Sequence, residues 1–505
     1  MNITEDIIRN KHHVLEVAYN SLSPDEQKLL SIIACLRSAT GYKTLLAIFV
    51  EQSDSPITQS LLDNQLNQLE TRSLLHWDKA TNKYDLHPIV RRYAYERLTA
   101  PDRTAAHTRL RDYFEAVPKP EKIESLNDLA PVIELYHHMV RAGQFDEARQ
   151  LYQDRINDLI YYEFGAYELQ IELLQALFPD GEEKPPKLKS ESAQAQIIND
   201  LANVYAFNGE PLRGISLHIR NLEYDKKNNR KKHLTVGLGN IAQKQLSIGK
   251  IKEAERNLYW RIDLSRELGD GLSEAIAHHY LGRVFMYLGV WEKSEQELLE
   301  SLRLFQKEHA IQLQGITWAF RSLRALLMTR DIDNLNTEND HFQKSVDFAK
   351  IALYLMFEWQ ETAERSSPNL RDYVRTLWIL GKSCRENILL EEAEKHLNKS
   401  LSQCRTANMV NYEAYILLEV SKLRHAQGNP KEALRLAQEA LIITERSGYV
   451  LQGSDVNLWL ADLALEGLRL QVEGDELSDR ELAKEYAEKA LQLAHCDDGP
   501  PYHYK

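Results

Sequence analysis

Residues Tyr84–Leu98 read YDLHPIVRRYAYERL. This stretch marks where one kind of module closes and another begins. Tyr84–Leu86 suits a short strand, His87-Pro88 a corner, and the remainder a helix. Pro88 fits a first helical position, where its missing N–H costs nothing. Ile89, Val90, Tyr93, Ala94 and Leu98 share one face at helical spacing, and Arg91, Arg92, Glu96 and Arg97 mostly take the other.

Upstream, Val14, Leu15, Val17 and Ala18 predict a helix ending near Leu22. Ser23-Pro24-Asp25-Glu26 is a helix start, with a Ser cap, a Pro in the first turn and acids at the positive end of the dipole. Leu29, Leu30, Ile32, Ile33 and Leu36 form its buried face. Further helices are expected over Tyr42–Glu51 and Ile57–Arg72, the second with Leu61, Leu62, Leu66 and Leu69 inward. Leu74–Trp77 and Lys83–Leu86 read as two strands around the turn 78–82. Helices followed by a two-stranded wing describe a winged-helix domain over residues 1–115. As a DNA reader its third helix is poor. It offers Gln59, Asn64, Gln65, Asn67 and Gln68 but also Asp63 and Glu70, and Arg72 is its single cation. The phosphate-neutralising charge that dominates DNA affinity is missing.

The runs LSPDEQKLLSIIACL (22–36) and LLDNQLNQLETRSLLHWDKATNKYDLHPIVRRYAYERL (61–98) resemble the winged-helix domain of STAND-type signalling NTPases, which include the bacterial relatives of NB-ARC and NLR proteins. In that family the segment ends in a Met-His-Asp-like motif whose His contacts the bound nucleotide in the inactive state. The matching residues are Leu86-His87-Pro88. The resemblance makes His87 a nucleotide sensor, and Pro88 departs from the Asp of the eukaryotic motif. Read from the residues alone, His87 caps the helix or packs at the corner. The family's P-loop, Gly-x4-Gly-Lys-Ser/Thr, occurs nowhere in the sequence, nor does Gly-x-Gly-x-x-Gly. The chain is therefore expected to be the C-terminal half of a larger protein or a stand-alone relative lacking the motor. Residues 496–502 (CDDGPPY) resemble a terminal motif of the same bacterial group that runs on into one more helix.

Downstream, small residues recur in pairs spaced by twelve: Ala202 with Gly214, Ala242 with Ala254, Gly282 with Ser294, Gly381 with Ala393, Ser421 with Ala433. Between the members sit Gly209, Gly249, Gly289, Asn387 and Gly428. Units step by 40 residues, a lengthened form of the tetratricopeptide repeat (TPR), in which two antiparallel helices touch through small residues. One such unit cannot bury its own apolar face, so stacking into a right-handed superhelix is required. Tyr136–Arg155 is a degenerate early unit. Another spans residues 315–365, where the polar run 329–340 reads as a flexible insertion before a helix over Phe342–Glu364. Leu458–Leu468 and Leu482–Leu493 form the last pair, and Phe178–Ser190 reads as a linker. The chain is thus all-α with a small β wing: a winged helix (1–115), a helical connector with a degenerate repeat (116–190) and a TPR sensor superhelix (191–498).

In this repeat the first helix of each unit lines the concave face. Positions three before, one after and four after the small residue give Asn199 and Asn203, Gln243, His279 and Arg283, Trp378, Lys382 and Arg385, then Lys422 and His425. The stripe starts amide-rich and ends basic and aromatic, which suits an acidic peptide or protein terminus, or else a polyphosphate or nucleic-acid segment. The competing reading has these charges paired with neighbouring acids and Trp378 in the core between repeats.

Composition bounds the rest. A 505-residue chain with 43% hydrophobic and 27% charged residues has the balance of a soluble globular protein. Its net charge of -13 argues against general attraction to nucleic acid or anionic membrane. No 18-residue apolar run could span a bilayer. Cys35, Cys384, Cys404 and Cys496 are scattered, as reduced thiols of a cytoplasmic protein would be. The pairs His12-His13, His137-His138 and His278-His279 are adjacent, and adjacent helical side chains diverge, so no metal site is expected. Glu182-Glu183 and Glu391-Glu392 read as solvated charge. No catalytic residues are apparent, and the chain itself needs no cofactor. The resemblance implies ADP or ATP in the intact protein, an upstream nucleotide-binding domain as partner, homo-oligomerisation on activation and a role in antiphage defence. The alternatives are a stand-alone TPR adaptor and a winged-helix DNA-binding regulator with a TPR sensor.

Overall fold

The computed structural model describes residues 15–51, 57–329, 335–363, 368–468 and 478–495, without side chains for 335–339. Residues 12–13, 330–334 and 496–502, named above, lie outside the described set. The chain divides into two compact units, 1–157 and 158–505, so the division falls inside the stretch read as a connector.

In the first unit, α1 (15–20) leads into α2 (Pro24–Cys35), whose start is a full capping box: the Glu26 backbone N–H donates to Ser23 and the Ser23 N–H donates to Glu26. β1 (Thr40–Gly41), α3 (Tyr42–Leu46) with a π-helical turn over Ala47–Glu51, and α4 (Gln59–Thr71) follow. β2 (His76–Asp78) and β3 (Lys83–Asp85) form the expected hairpin, and the sheet is antiparallel with order β1-β3-β2. The first of these strands carried no sequence signal, because two residues cannot show alternation. α5 (Pro88–Arg97) packs on α2 through Val90 and Ala94. Ile89 and Leu61, both expected to face inward, are exposed by 48% and 41%. Arg91 pins the corner, pairing with Asp85 at 2.6 Å and donating to the Leu36 carbonyl at the end of α2. α6 (Ala100–Ala116), α7 (Ala130–Arg141) and α8 (Phe145–Arg155) complete the unit.

The second unit opens with a π-helical turn over Leu159–Glu163 and α9 (Tyr167–Gln175). Seven helix pairs follow: α10 (Glu191–Phe207) with α11 (Pro211–Lys227), α12 (Lys231–Ser247) with α13 (Ile251–Leu268), and α14 (Gly271–Tyr287) with α15 (Trp291–Lys307). Then come α16 (Ile311–Met328) with α17 (Leu335–Thr362), α18 (Leu370–Glu386) with α19 (Leu390–Thr406), α20 (Val410–Ala426) with α21 (Pro430–Ser447), and α22 (Val450–Leu465) with α23 (Asp479–Ala494). Three of the small-residue pairs are direct contacts, Ala202 with Gly214 among them. Ser294 donates to the Gly282 carbonyl at 2.7 Å and Ser421 to that of Ala433 at 2.6 Å. In the unit with the insertion the same bond recurs across a longer span, from Ser322 to the Ser345 carbonyl at 2.7 Å. α17 begins at Leu335, ahead of the Phe342 start expected from the sequence.

Two further expectations are corrected. Residues 178–190 are built into the fold rather than forming a free linker. Glu182 accepts hydrogen bonds from Tyr205 (2.5 Å), Gln175 (2.8 Å) and Arg213 (2.9 Å), and Leu188 is buried. Glu182 is therefore not a solvated charge. Helix α22 also starts eight residues before Leu458. Its first two turns carry Gln452, Ser454 and Asn457, which look solvent-facing in sequence but are buried and bonded to backbone carbonyls.

The seven pairs wind far enough that the first two meet the last two. The buried Tyr449 hydroxyl donates to the Ala206 carbonyl at 3.1 Å, and Asn408 donates to Asn208 at 2.7 Å. Leu451 and Ala494 share one core with Ala242, Leu246, Leu281 and Phe285.

A Cβ on Gly214 would lie 2.5 Å from the Ala202 carbonyl oxygen, a backbone atom that no rotamer change can move. Gly214→Val should cost about 1–3 kcal/mol. A urea melt of the full chain checks it, and an unchanged midpoint would show that the helices can separate freely.

Candidate functional site

Closure of the superhelix turns its concave face into an interior. Where α10, α12 and α14 face α20 and α22, a cavity of about 70 Å³ remains, lined by Phe207, Gln243, Lys244, Arg283, Tyr412 and Gln452 among others. That is room for a few waters or one acid group. Lys244 is 3% exposed, donates to Asn203 Oδ1 and lies 5.9 Å from the Phe207 ring. Burial, with a further push from the Arg371 charge, lowers its pKa to about 7. Arg283 lies over the Phe320 ring at 4.0 Å, and its Nε is buried without a protein hydrogen-bond partner. Asn411 Oδ1 and Gln452 Oε1 are also buried and unpaired. Among the described residues neither Lys244 nor Arg283 forms an ion pair. Beside them on α18, Arg375 pairs with Asp372, which also accepts from Gln312 at 2.6 Å, and Arg371 donates to Tyr161 at 3.2 Å. The interior is thus rich in cations and tyrosines and poor in carboxylates.

The sequence-derived stripe is only partly brought together. Gln243 and Arg283 line the cavity. Asn199 accepts from Asn240 at 2.8 Å, and Asn203 holds Lys244. His279 is buried against Thr317 at 3.0 Å, and Phe320 contacts its ring. Trp378 is 4% exposed and stacked on Tyr415 at 4.7 Å, so it offers no free stacking face. Lys382 and Arg385 are not open groove charges. Both bond Glu419 of the next repeat, Arg385 at 2.7 Å. Burial alone would raise the Glu419 carboxyl, yet the two cations hold it far below the usual carboxylate range. Lys422 lies over Trp459 at 5.6 Å, and His425 pairs with Glu466 at 2.7 Å. The basic end of the stripe is therefore largely neutralised within the protein. His87, in the first unit, is exposed and caps α5, its Nδ1 accepting from the Ile89 N–H at 3.3 Å.

Lys244, Tyr412, Tyr449 and Gln452 were missed. Lys244 stands two residues after Ala242, off the positions assigned to the groove, and the others reach the cavity only because the ends of the superhelix meet.

This architecture is that of an all-α TPR-like superhelix preceded by a small α/β unit. No protein-family model matches the sequence, and no curated protein matches it. Among solved structures, the chain is similar to a Signal Transduction ATPase with Numerous Domains (STAND) protein with a tetratricopeptide repeat sensor from Pyrococcus horikoshii, at 14% identity and a TM-score of 0.39. That match covers 94% of this chain, which spans 64% of the length of the other. It is also similar to a Rap conjugation gene regulator of plasmid pLS20 in complex with the Phr* peptide (12% identity, TM-score 0.46, 73% of this chain and 95% of the other). A Rap protein complexed with competence and sporulation factor matches at 13% identity and a TM-score of 0.44, over 69% and 94% of the two chains. No described helix is long and apolar enough to cross a membrane.

Two stability effects follow. Glu419→Gln leaves buried Lys382 without its carboxylate and Arg385 with Glu386 alone at 2.7 Å, and should cost roughly 3–5 kcal/mol at pH 7. The native carboxyl titrates below its unfolded value, so its contribution is intact above about pH 4.3 and decays as the pH falls, and the gap between wild type and variant should close in acid. Lys244 has the opposite consequence. The unfolded lysine binds a proton up to about pH 10.4 while the native one releases it near 7, so its burial costs stability at and below neutrality. Lys244→Met should therefore stabilise by roughly 2–4 kcal/mol at pH 6, a gain that shrinks as the pH rises toward 10. Denaturant melts decide both, at pH 7 and in acid for the Glu419 variant and at pH 6 and near pH 10 for the Lys244 variant.

Proposed function

We propose that the chain is the non-catalytic sensor and regulatory region of a STAND-type signalling NTPase. Its TPR superhelix recognises a peptide or protein segment that places an acidic group between Lys244 and Arg283. The observation that carries this reading is the pair of cations facing one cavity without a carboxylate partner, in a protein of net charge -13. Two such groups gain most from a carboxylate, which supplies charge-assisted bonds to both. The cavity admits one acid group, so a longer segment requires the contacts Tyr449–Ala206 and Asn408–Asn208 to part. A ligand that binds the parted form better shifts the population toward it, and one with equal affinity for both shifts nothing.

The helix–strand–helix–helix–hairpin order of the first unit supports reading it as a winged helix, with His87 meeting ADP or ATP held by an upstream nucleotide-binding domain. On this reading ligand binding releases a closed state, and the intact protein oligomerises in the cytoplasm, in antiphage defence. DNA reading by α4 is disfavoured. Gln65 is buried, Asp63 accepts from Tyr42 at 2.6 Å, and Arg72 is engaged by Ser21.

The test is capture from native lysate, with and without phage infection, using wild type and the Lys244→Met/Arg283→Met double variant as bait. A protein enriched on wild type and lost on the double variant, with helicity retained, is the expected result. Equal capture by both baits would remove the cavity from the recognition site, and no capture by either would remove the sensor reading of the isolated chain.

A further inference from the structure

In the first unit α6 lies against α7, and three imidazoles meet at the contact. One ring nitrogen each from His107, His137 and His138 lies within 4.8 Å of the other two. Nδ1 of His107 and Nδ1 of His138 are 2.9 Å apart. His137 and His138 are sequence-adjacent, yet their rings meet edge to face with centroids 5.3 Å apart, contrary to the divergence expected of neighbouring helical side chains. His107, from the neighbouring helix, completes a triangle with them, its ring centroid 5.8 Å and 5.2 Å from theirs. His107 and His138 are fully buried and His137 is half-buried. Burial, and then the charges of neighbouring groups, push His107 down to about 3 and His137 to about 4. The rings are neutral at physiological pH, the form that ligates a metal.

Two of the outer nitrogens face groups that can fix a tautomer. His107 Nε2 is 3.1 Å from the Tyr95 hydroxyl, and His138 Nε2 faces the Glu134 carboxylate at 3.5 Å, with no other partner. In the metal-free form one of these two rings donates its Nδ1 proton to the other; an incoming ion displaces that proton to Nε2, where the Tyr95 hydroxyl or the Glu134 carboxylate can hold it, and both Nδ1 atoms then face the ion. Phe114 stacks on His138 and holds that ring in place. Tetrahedral coordination at 2.0–2.1 Å sets ligand nitrogens about 3.3 Å apart, close to the present spacing of His107 and His138, and His137 has to draw in toward them. Arg37, Arg91 and Arg141 are also near, and they oppose a cation. Arg91 is paired with Asp85, and Glu134 accepts from the Arg37 N–H and the Ser38 hydroxyl.

We propose that His107, His137 and His138 form a three-histidine site for a zinc-type divalent transition-metal ion, tying α6 to α7 and leaving a fourth position open. Imidazole-only donors select this class over magnesium or calcium, which take oxygen ligands.

The full chain, stripped with chelator, is titrated with Co2+ as a spectroscopic stand-in for Zn2+. Expected are the visible bands of imidazole-bound cobalt at one equivalent per chain, their loss on adding Zn2+, and a rise in the thermal midpoint with either metal. His137→Ala, at the half-buried position, and the polar replacement His137→Gln should each weaken binding at least ten-fold with far-ultraviolet dichroism unchanged. Absence of the visible bands, or unchanged affinity in a folded His137 variant, would overturn the site and assign any bound metal to other histidines.

Discussion

Close backbone approach at the small-residue pairs is the constraint from which the second unit follows. Gly214 lies so near Ala202 that no Cβ fits, and Gly282 and Gly381 are each covered by a leucine, Leu298 and Leu397, at 2.6 Å from an added Cβ. Helices held this tightly repeat one another's geometry, and a repeated step in a solenoid must curve. Here the curvature brings α10 and α12 to α20 and α22, burying Tyr449 and Leu451 and converting a groove into a cavity. The closed interior exists because glycine, alanine and serine occupy a handful of positions.

Closure changes the electrostatics of what it encloses. An exposed lysine costs nothing, whereas Lys244, buried beside Arg371, has its charged form disfavoured. Folding tolerates such a group where the many apolar contacts around it supply a surplus, and it is then poised for an anionic partner. Stability and recognition are in tension at this one residue, as at other functional sites where local rules are broken.

Much of this was legible in the sequence. The twelve-residue pairs placed the helix hairpins, Ser23-Pro24-Asp25-Glu26 announced a capping box, and Leu86-His87-Pro88 marked the corner before α5. What was hidden depends on contacts distant in the chain. The apolar pattern marks α22 only from Leu458, because in its first turns Gln452, Ser454 and Asn457 satisfy their hydrogen bonds in a buried setting that periodicity cannot reveal. Residues 178–190 read as linker because prolines and charges dominate them, yet Glu182 is held by three donors from three helices, α9, α10 and α11. The trio of histidines was invisible because its third member stands some thirty residues before the other two.

The positions assigned to the concave face were sound as geometry and incomplete as electrostatics. In three units the residue one place after the small residue does not look into open solvent; it meets the residue two places before the small residue of the next repeat, whereas Asn203 meets Lys244, two places after Ala242. Lys382 meets Glu419, two before Ser421, and is neutralised. Arg283 meets Phe320, two before Ser322, and receives only a ring face at 4.0 Å. Lys422 meets Trp459, two before Ala461. The same cation at the same repeat position is a structural ion pair in one unit and an available charge in another. The difference lies in a single residue roughly 37 places further along, which a position-by-position reading of one helix face leaves out. Reading the pairs together, rather than the stripe alone, singles out Arg283 over Lys382 as the charge open to a ligand.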